Sequence, residues 1–520
     1  MSGRIAELAD ALVTEGVRAI FGIPGSGLSL DLIAALERRD VPFYATCHEG
    51  AAAIMAGAFG RRTRTLGCSI SIKGPGLANM LGGVLVNRYE QRPTLSVAEA
   101  FGTATPLSRQ HKRLDHALAV APYTKAYAAL GDPGATMSAL ATTARAEIPG
   151  PVHLDLDADA APSSPPPVAG SPPPGEGAWA ELERRVTRSE RPAVIAGSLA
   201  TRRPWGARLA ALRIPVFTTF AAKGVIDETL RFAAGVFTGD GQALSPEARV
   251  LAEADLVVGL GLRNLEVLNA RPLPCPVAIF DVVGGPTGDG FEPIARGPAR
   301  DDADFGRLLD TLGGKAWGED VVTDATRRVR ARLTDNEWLP GALYLALEQA
   351  LPDVGCFVVD TGYFCTVAEH VWRARSAEAF VASANGRSMG AGWPSAIGVA
   401  LADRSRPTVC AVGDGGIATY FADLKLAIAE RLPVLFLLLS DGRFGSVGGP
   451  AAARGVSSRA TTVARPSWFK AVEMLGCPAE PVGDVGAFVT ALKRWDCAGP
   501  LFIEAVFDAA LYAGMIDGVR

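Results

Sequence analysis

Two acidic turns carry the clearest chemical signal in the chain. The segment from Pro407 to Gly445 reads as a strand (Pro407 to Val412), a glycine turn (Gly413-Asp414-Gly415-Gly416) and a helix (Ala418 to Glu430). A second strand (Pro433 to Leu439) and a polar turn (Ser440-Asp441-Gly442-Arg443) come next. In a right-handed βαβ unit both turns lie at the carboxyl ends of neighbouring strands, so Asp414 and Asp441, 27 residues apart, come side by side. Glycines at 413, 415 and 416 let backbone N–H groups approach a phosphate, whose charge the helix N-terminus favours. Two carboxylates beside a phosphate suit Mg2+, which completes its shell with water. Taken alone, the tetrapeptide serves equally well as a tight strand-to-helix connection with Asp as cap. The spacing to a second carboxylate turn is what speaks for a metal–phosphate site.

Such turns need a parallel sheet to hold them, and the rest of the chain is patterned for one. Short apolar runs alternate with helical spacing from the start: Ala19 to Gly22, Pro42 to Ala45, Gly67 to Ile72 and Pro93 to Val97 read as strands. Further runs, Ala193 to Ala196, Val216 to Thr219, Leu256 to Leu260 and Ala278 to Phe280, lie in the middle of the chain. This alternation predicts an α/β protein with mainly parallel sheets flanked by helices. Three consecutive domains are read at 1–160, 179–325 and 326–520, the first two joined by a proline-rich linker at 161–178. The 520 residues suit that number. Hydrophobic residues make up 48% and charged residues 20%, which excludes global disorder. With 51 basic and 55 acidic residues the net charge is −4, too mild for a nucleic-acid binder that relies on a basic surface. No apolar run nears the roughly 18–20 residues that cross a bilayer. The first residues show no signal-peptide pattern, and the eight Cys are scattered singly. The expected setting is the cytoplasm, without disulfides, structural zinc or a membrane anchor.

Gly413-Asp414-Gly415 followed by Ser440-Asp441 resembles the metal–diphosphate motif of thiamine-diphosphate-dependent enzymes, in the branch of acetolactate synthases, pyruvate decarboxylase-like enzymes and benzaldehyde lyase. The family form is Gly-Asp-Gly, about two dozen residues, then Asn-Asn. The resemblance implies Asp414, Asp441 and the carbonyl of Arg443 as Mg2+ ligands, with Phe444 beside them at the cofactor. Ser440-Asp441 departs from Asn-Asn but keeps an oxygen ligand at a more negative site. Cys47-His48-Glu49-Gly50-Ala51-Ala52-Ala53 resembles the strand-to-helix junction whose Glu promotes the reactive tautomer of the aminopyrimidine, so Glu49 is the candidate for that role. By its residues alone it could equally be an N-terminal helix Glu stabilised by the macrodipole, and His48 reads as an ordinary strand-end His. Pro24-Gly25 resembles an early cofactor turn, and Lys73-Gly74-Pro75-Gly76-Leu77-Ala78-Asn79 resembles Ser-Gly-Pro-Gly-x-x-Asn. Thr361, Gly362 and Tyr363 align with a diphosphate-contacting loop. Arg387-Ser388-Met389 aligns with the segment that wraps the cofactor, the Arg387 carbonyl as an acceptor and Met389 as a wedge between the rings. The family usually has Gly at Arg387, and a lone Met is ordinarily core filler. The three domains become, by resemblance, pyrimidine-binding, central and diphosphate-binding.

The resemblance implies decarboxylation of a 2-oxo acid and joining of the acyl group to an aldehyde, ketone or oxo-acid acceptor, with simple decarboxylation or acyloin or acyl-CoA cleavage as the alternative. His111 stands where acetolactate synthases have Phe in a Phe-Gln-Glu motif, placing an imidazole at the substrate; it is a candidate acid/base, against a solvent-facing His in a basic run. FAD binds the central domain of some relatives; Gly235 to Gly241 and Gly261 to Asn264 only partly resemble its contacts, and FAD is not favoured. A homodimer or homotetramer with sites between subunits is implied. Readings of another class are a nucleotide-binding protein, which lacks a GxGxxG in context, and a non-catalytic paralogue, against which Glu49 argues.

Overall fold

The computed structural model describes residues 2–102, 104–157, 177–269, 271–283, 291–298, 301–464 and 466–520. Among them the apolar runs pair into three sheets of six parallel strands. The first contains β1 (Ile20–Gly22), β2 (Phe43–Ala45), β3 (Gly67–Ser71), β4 (Thr94–Glu99), β5 (Tyr127–Ala129) and β6 (Val152–Leu156), in the order β2-β1-β3-β4-β6-β5. The second contains β7 (Pro192–Ala196), β8 (Val216–Thr218), β9 (Ala233–Val236), β10 (Leu256–Leu260), β11 (Val277–Asp281) and β12 (Ala295–Pro298), in the order β12-β11-β10-β7-β8-β9. The third contains β13 (Cys356–Val359), β14 (Phe380–Ala382), β15 (Thr408–Gly413), β16 (Val434–Ser440), β17 (Ala479–Val482) and β18 (Leu501–Val506). Its order, β14-β13-β15-β16-β18-β17, repeats that of the first sheet.

Register fixes the two acidic turns. β15 and β16 run side by side with Gly413 opposite Leu439, so both chains leave the sheet at the same edge. All seven residues of β16 are buried, as a strand covered by helices on both faces must be. The expected helix over 418–430 is corrected: the helix starts at Asp414 with Gly413 as N-cap and ends at Tyr420. A short 3-10 turn (Phe421–Asp423) then separates it from Leu424–Ala429. A carboxylate in the first turn is favoured by the helix dipole, so the acidic turn and the helix start are one feature.

The first and third sheets share a core. The small-residue helix Glu49–Thr63 packs on Gly392–Ala402, and Ala51, Ala52, Met55 and Phe59 join one apolar cluster with Val358, Val412, Phe436, Trp393 and Ile397. Small residues let the backbones approach: a Cβ at Gly398 would meet the backbone of Met55. The helix Glu319–Thr334 straddles the boundary read at 325/326. Val322 and Ala325 lie in the central core, Val329 and Leu333 in the third. The linker read at 161–178 lies outside the described residues except for its last two, which open the helix Gly177–Arg188. No helix among the described residues is long and apolar enough to cross a membrane.

Candidate active site

At the carboxyl edge of the third sheet Asp414 is only 2% exposed. Its Oδ1 accepts from Ser440 Oγ at 2.7 Å, and its Oδ2 from the N–H groups of Asp441 (3.0 Å) and Gly442 (2.9 Å). Burial, and after it the Asp414 charge, pushes the Asp441 carboxyl up to about 6, against the pull of the Arg443 N–H that it accepts at 3.1 Å. Two carboxylates are thus held together with one already taken out of water, the arrangement a divalent cation relieves. A side chain at 415 would meet Met389 Sδ and Phe444 Cε1, each at 2.6 Å, and one at 416 would strike the Asp360 carboxylate. Met389 is 46% exposed, so it is not core filler; it stands over Gly415 beside the acidic pair. Tyr363 opens the helix Tyr363–Val371 next to Gly445, with Thr361 and Gly362 in the preceding turn.

Arg387 explains its own departure from Gly. Its φ is 46°, the left-handed conformation that glycine adopts freely. Its side chain turns away from the acidic pair: Nη2 donates to Glu369 Oε1 at 2.8 Å, Nη1 contacts Cys365 Sγ, and the guanidinium lies over Phe220. The buried Asp360 carboxylate anchors the residues just beyond, accepting from Gly390 N at 2.8 Å and Gly392 N at 3.3 Å. Just before Arg387, Glu90 of the first domain accepts the N–H groups of Ala384, Asn385 and Gly386 at 3.0 to 3.2 Å.

At the matching edge of the first sheet Glu49 begins its helix and is 7% exposed. Its Oε2 accepts from Asn79 Nδ2 at 3.2 Å, and Gly76 lies against Oε1. His48 is the helix cap, its Nδ1 accepting from Gly50 N at 2.9 Å. The turn after β1, with Pro24 and Gly25, wraps a carboxylate that the sequence reading missed. Glu99, closing β4, accepts from Gly27 N, Ser29 N and Ser29 Oγ, and from Lys73 Nζ at 2.8 Å. A Cβ at Gly25 would meet that carboxylate at 2.6 Å. Burial raises the Glu99 carboxyl, but the Lys73 and Ser29 bonds outweigh it and hold the group below its ordinary value. His111 is exposed and meets the edge of Phe101 at 5.9 Å.

A second missed cluster supports this edge. His116 Nε2 accepts from Gly74 N at 3.2 Å, which puts its proton on Nδ1, 2.7 Å from Asp155 Oδ1. His153 Nε2 reaches the same oxygen at 3.0 Å, and Tyr127 Oη donates to Oδ2 at 2.7 Å. These separations are hydrogen bonds and leave no room for an ion between the rings and the carboxylate. His153 and Asp155, two apart on β6, share one face of the sheet; that period was the available signal.

Within one chain the residues that flank Glu49 meet Tyr420, at the far end of the helix that Asp414 begins: His48 and Tyr420 rings are 5.4 Å apart, a Cβ at Gly50 would lie 3.0 Å from Tyr420 Oη, and Cys47 N donates to Asp423 Oδ1 at 2.7 Å. Glu49 and His111 therefore share one edge, and Asp414, Asp441, Met389 and Phe444 the other.

The central sheet has a nucleotide-type strand order, and its crevice should open between β7 and β10. It is filled. A Cβ at Gly197 would strike the Gly261 carbonyl, and Glu266 accepts from Ser198 N at 2.6 Å and Thr219 Oγ1 at 3.0 Å. Gln91 of the first domain donates to Glu266, while Arg263 bridges Asp281 and Glu147. A pyrophosphate in that crevice would meet a buried carboxylate; the residues present do not fit FAD.

Three family models match the chain. "Thiamine pyrophosphate enzyme, N-terminal TPP binding domain" matches residues 5–116, the central domain of the same family matches 180–278, and its C-terminal TPP binding domain matches 360–505. The chain belongs to the thiamine pyrophosphate enzymes. This enzyme is similar to the "Probable 2-ketoarginine decarboxylase" of Pseudomonas aeruginosa, 27% identical over 468 residues that cover 85% of this chain and 82% of that protein. It is also similar to the "Probable acetolactate synthase large subunit" of Methanocaldococcus jannaschii (26% over 481 residues, 85% and 80%). The catabolic acetolactate synthase of Raoultella terrigena is 25% identical over 489 residues (85% and 83%). The chain is thus a thiamine-diphosphate-dependent enzyme of the acetolactate synthase/decarboxylase family. The donor set at the third sheet, two carboxylates beside glycines that admit no side chain, fits a magnesium-bound diphosphate.

Proposed function

We propose that this thiamine pyrophosphate enzyme decarboxylates a 2-oxo acid and joins the acyl group to an acceptor carbonyl, with Mg2+ as the metal. When bound, thiamine diphosphate supplies a nucleophilic carbon that adds to the substrate carbonyl and takes up the electron pair of the broken bond. The observation that carries the reading is Asp414, held by Ser440, Asp441 and Gly442 at the edge where two glycine-lined turns converge. Asp414, Asp441 and the Arg443 carbonyl would hold the metal. The N–H groups of Gly413, Gly415 and Gly416, with Thr361, Gly362 and Tyr363, would hold the diphosphate. Met389 would support the rings, with Phe444, Pro24 and Gly25 lining the site and the Arg387 carbonyl accepting an amino N–H. Glu49 would hold a proton at Oε1, since Asn79 already occupies Oε2. His111 would move a proton at the substrate oxygen.

His48, next to Glu49, packs on Tyr420, the end of its own chain's helix opposite Asp414, and Leu107, Leu114 and Leu118 are exposed around the His111 loop. Both features support a homodimer or homotetramer with sites between copies. Mixing Glu49→Gln and Asp414→Ala chains should then restore part of the activity that each lacks; no recovery after confirmed subunit exchange overturns the shared site.

Product analysis with 2-oxo acids, with and without an aldehyde, tests the reaction: an acyloin is expected. An aldehyde as the sole product favours the second reading, a simple decarboxylase, which the Pseudomonas relative supports. Mass spectrometry of the denatured protein should find thiamine diphosphate and no flavin.

A further inference from the structure

The edge around Glu49 contains a cation to which the proposed chemistry gives no task. Lys73 Nζ has three N–H groups. One donates to Glu99 Oε2, and the others have no acceptor among the described residues. The ammonium stands 5.2 Å from the centre of the Phe101 ring, whose edge meets His111. Lys73 keeps 19% of its side-chain surface accessible and Glu99 only 4%, so the open side of this pair is the cation. The turn that Lys73 begins brings Gly76 against the Glu49 carboxylate and Gly74 against the Lys112 carbonyl. Arg109, Lys112 and Arg113, all exposed, add positive charge on the same loop as His111.

We infer that Lys73 determines substrate charge: its ammonium receives a carboxylate that the substrate keeps through the reaction, while the reacting carbonyl faces His111. This rests on the proposed 2-oxo acid chemistry. The retained carboxylate has two sources, the far end of a dicarboxylic donor or the carboxylate of an acceptor oxo acid. Glu99 fixes the ammonium by a charge-assisted bond, so the cation is in place before substrate arrives.

Holoenzyme assayed with 2-oxopentanoate, 2-oxoglutarate and 5-guanidino-2-oxopentanoate varies the donor's tail charge. Pyruvate with acetaldehyde or with 2-oxobutyrate as acceptor varies the acceptor. An anionic preference of about tenfold or more in kcat/KM, the size of one charge-assisted hydrogen bond, is expected in one series and identifies the source. Lys73→Met should raise KM for the preferred anionic compound about tenfold, leave kcat nearly unchanged and spare the neutral compound; Lys73→Arg should restore KM. Because Lys73→Met leaves Glu99 without its cation, the double variant Lys73→Met/Glu99→Gln keeps the turn neutral and should show the same loss. Calorimetry with glutarate, which cannot react, gives a readout apart from turnover: binding by the parent protein and about tenfold weaker binding by the double variant. Charge-blind kinetics in both series, or unchanged glutarate affinity in the double variant, overturns the inference. Failure to turn over any 2-oxo acid overturns the functional reading instead, and the glutarate titration still decides the role of Lys73.

Discussion

The first and third sheets repeat one strand order, yet their carboxyl edges are built from different materials. The third edge is lined by backbone: glycines whose Cβ would collide with Met389, Phe444 or Asp360, and N–H groups that converge on Asp414. The first edge is lined by side chains: Glu49 on Asn79, Glu99 on Lys73, His116 on Asp155. A diphosphate and a divalent ion ask for closely packed donors and fixed carboxylates, which tight turns provide. Proton transfer and substrate selection ask for side chains with adjustable charge, and these need a hydrogen-bonded support. Under the proposed function, one scaffold would serve both halves of the cofactor by changing the turn at the end of each strand.

The division can be broken most sharply at Asp414 and Glu49. Asp414→Ala removes the acceptor for three donors and the buried carboxylate of the acidic pair; the purified protein should contain no thiamine diphosphate and show no turnover. Glu49→Gln should keep its cofactor while turnover falls about 10²–10⁴-fold, the range for loss of a positioned acid/base. Mass spectrometry and single-turnover kinetics separate the two; if both variants lose the cofactor alike, the contrast between the edges fails.

The support beneath the first edge gives the next largest effect. Burial raises the Asp155 carboxyl, but bonds from His116 and His153 more than offset it, and the group sits well below the usual carboxylate range. A depressed carboxyl stabilises the fold above its unfolded value near pH 4 and loses that contribution as pH falls below it. Asp155→Asn should cost about 2–3 kcal/mol at neutral pH and flatten the acid side of the stability profile, read by urea unfolding at stepped pH.

Arg387→Gly tests whether that side chain serves the site or its frame. Relief of the left-handed backbone gains about 1 kcal/mol, while stranding the buried Glu369 costs about 3 kcal/mol, so a net loss of about 2 kcal/mol is expected. Adding Glu369→Gln should recover most of it, with cofactor content unchanged throughout. The smallest change is expected from His48→Ala: loss of a cap, about 1 kcal/mol, with turnover close to the parent.

Strands were legible wherever the run was apolar throughout. Leu256–Leu260 matches its expected span, and β15 and β16 are each shifted by one residue. Asp414 and Asp441 could be paired from the sequence because a single βαβ unit joins them. The helix between them was read too late because glycine and Asp at its start look like a turn, although they open the helix. Lys73, Glu99 and His116 were not legible as a site, since each acquires its partner from the end of another strand. Arg387 looked like a defect in the pattern; only its backbone angle shows how a large residue occupies a glycine position.

The alanine-rich face of Glu49–Thr63 belongs to a core whose other wall is Gly392–Ala402. During synthesis that face leaves the ribosome with only Ala19 and Phe21 of that core beside it until the last third of the chain has emerged. The amino-terminal third must wait, partly unfinished, through the making of the entire middle sheet. A chain severed between these regions would yield two fragments that each expose an oily wall.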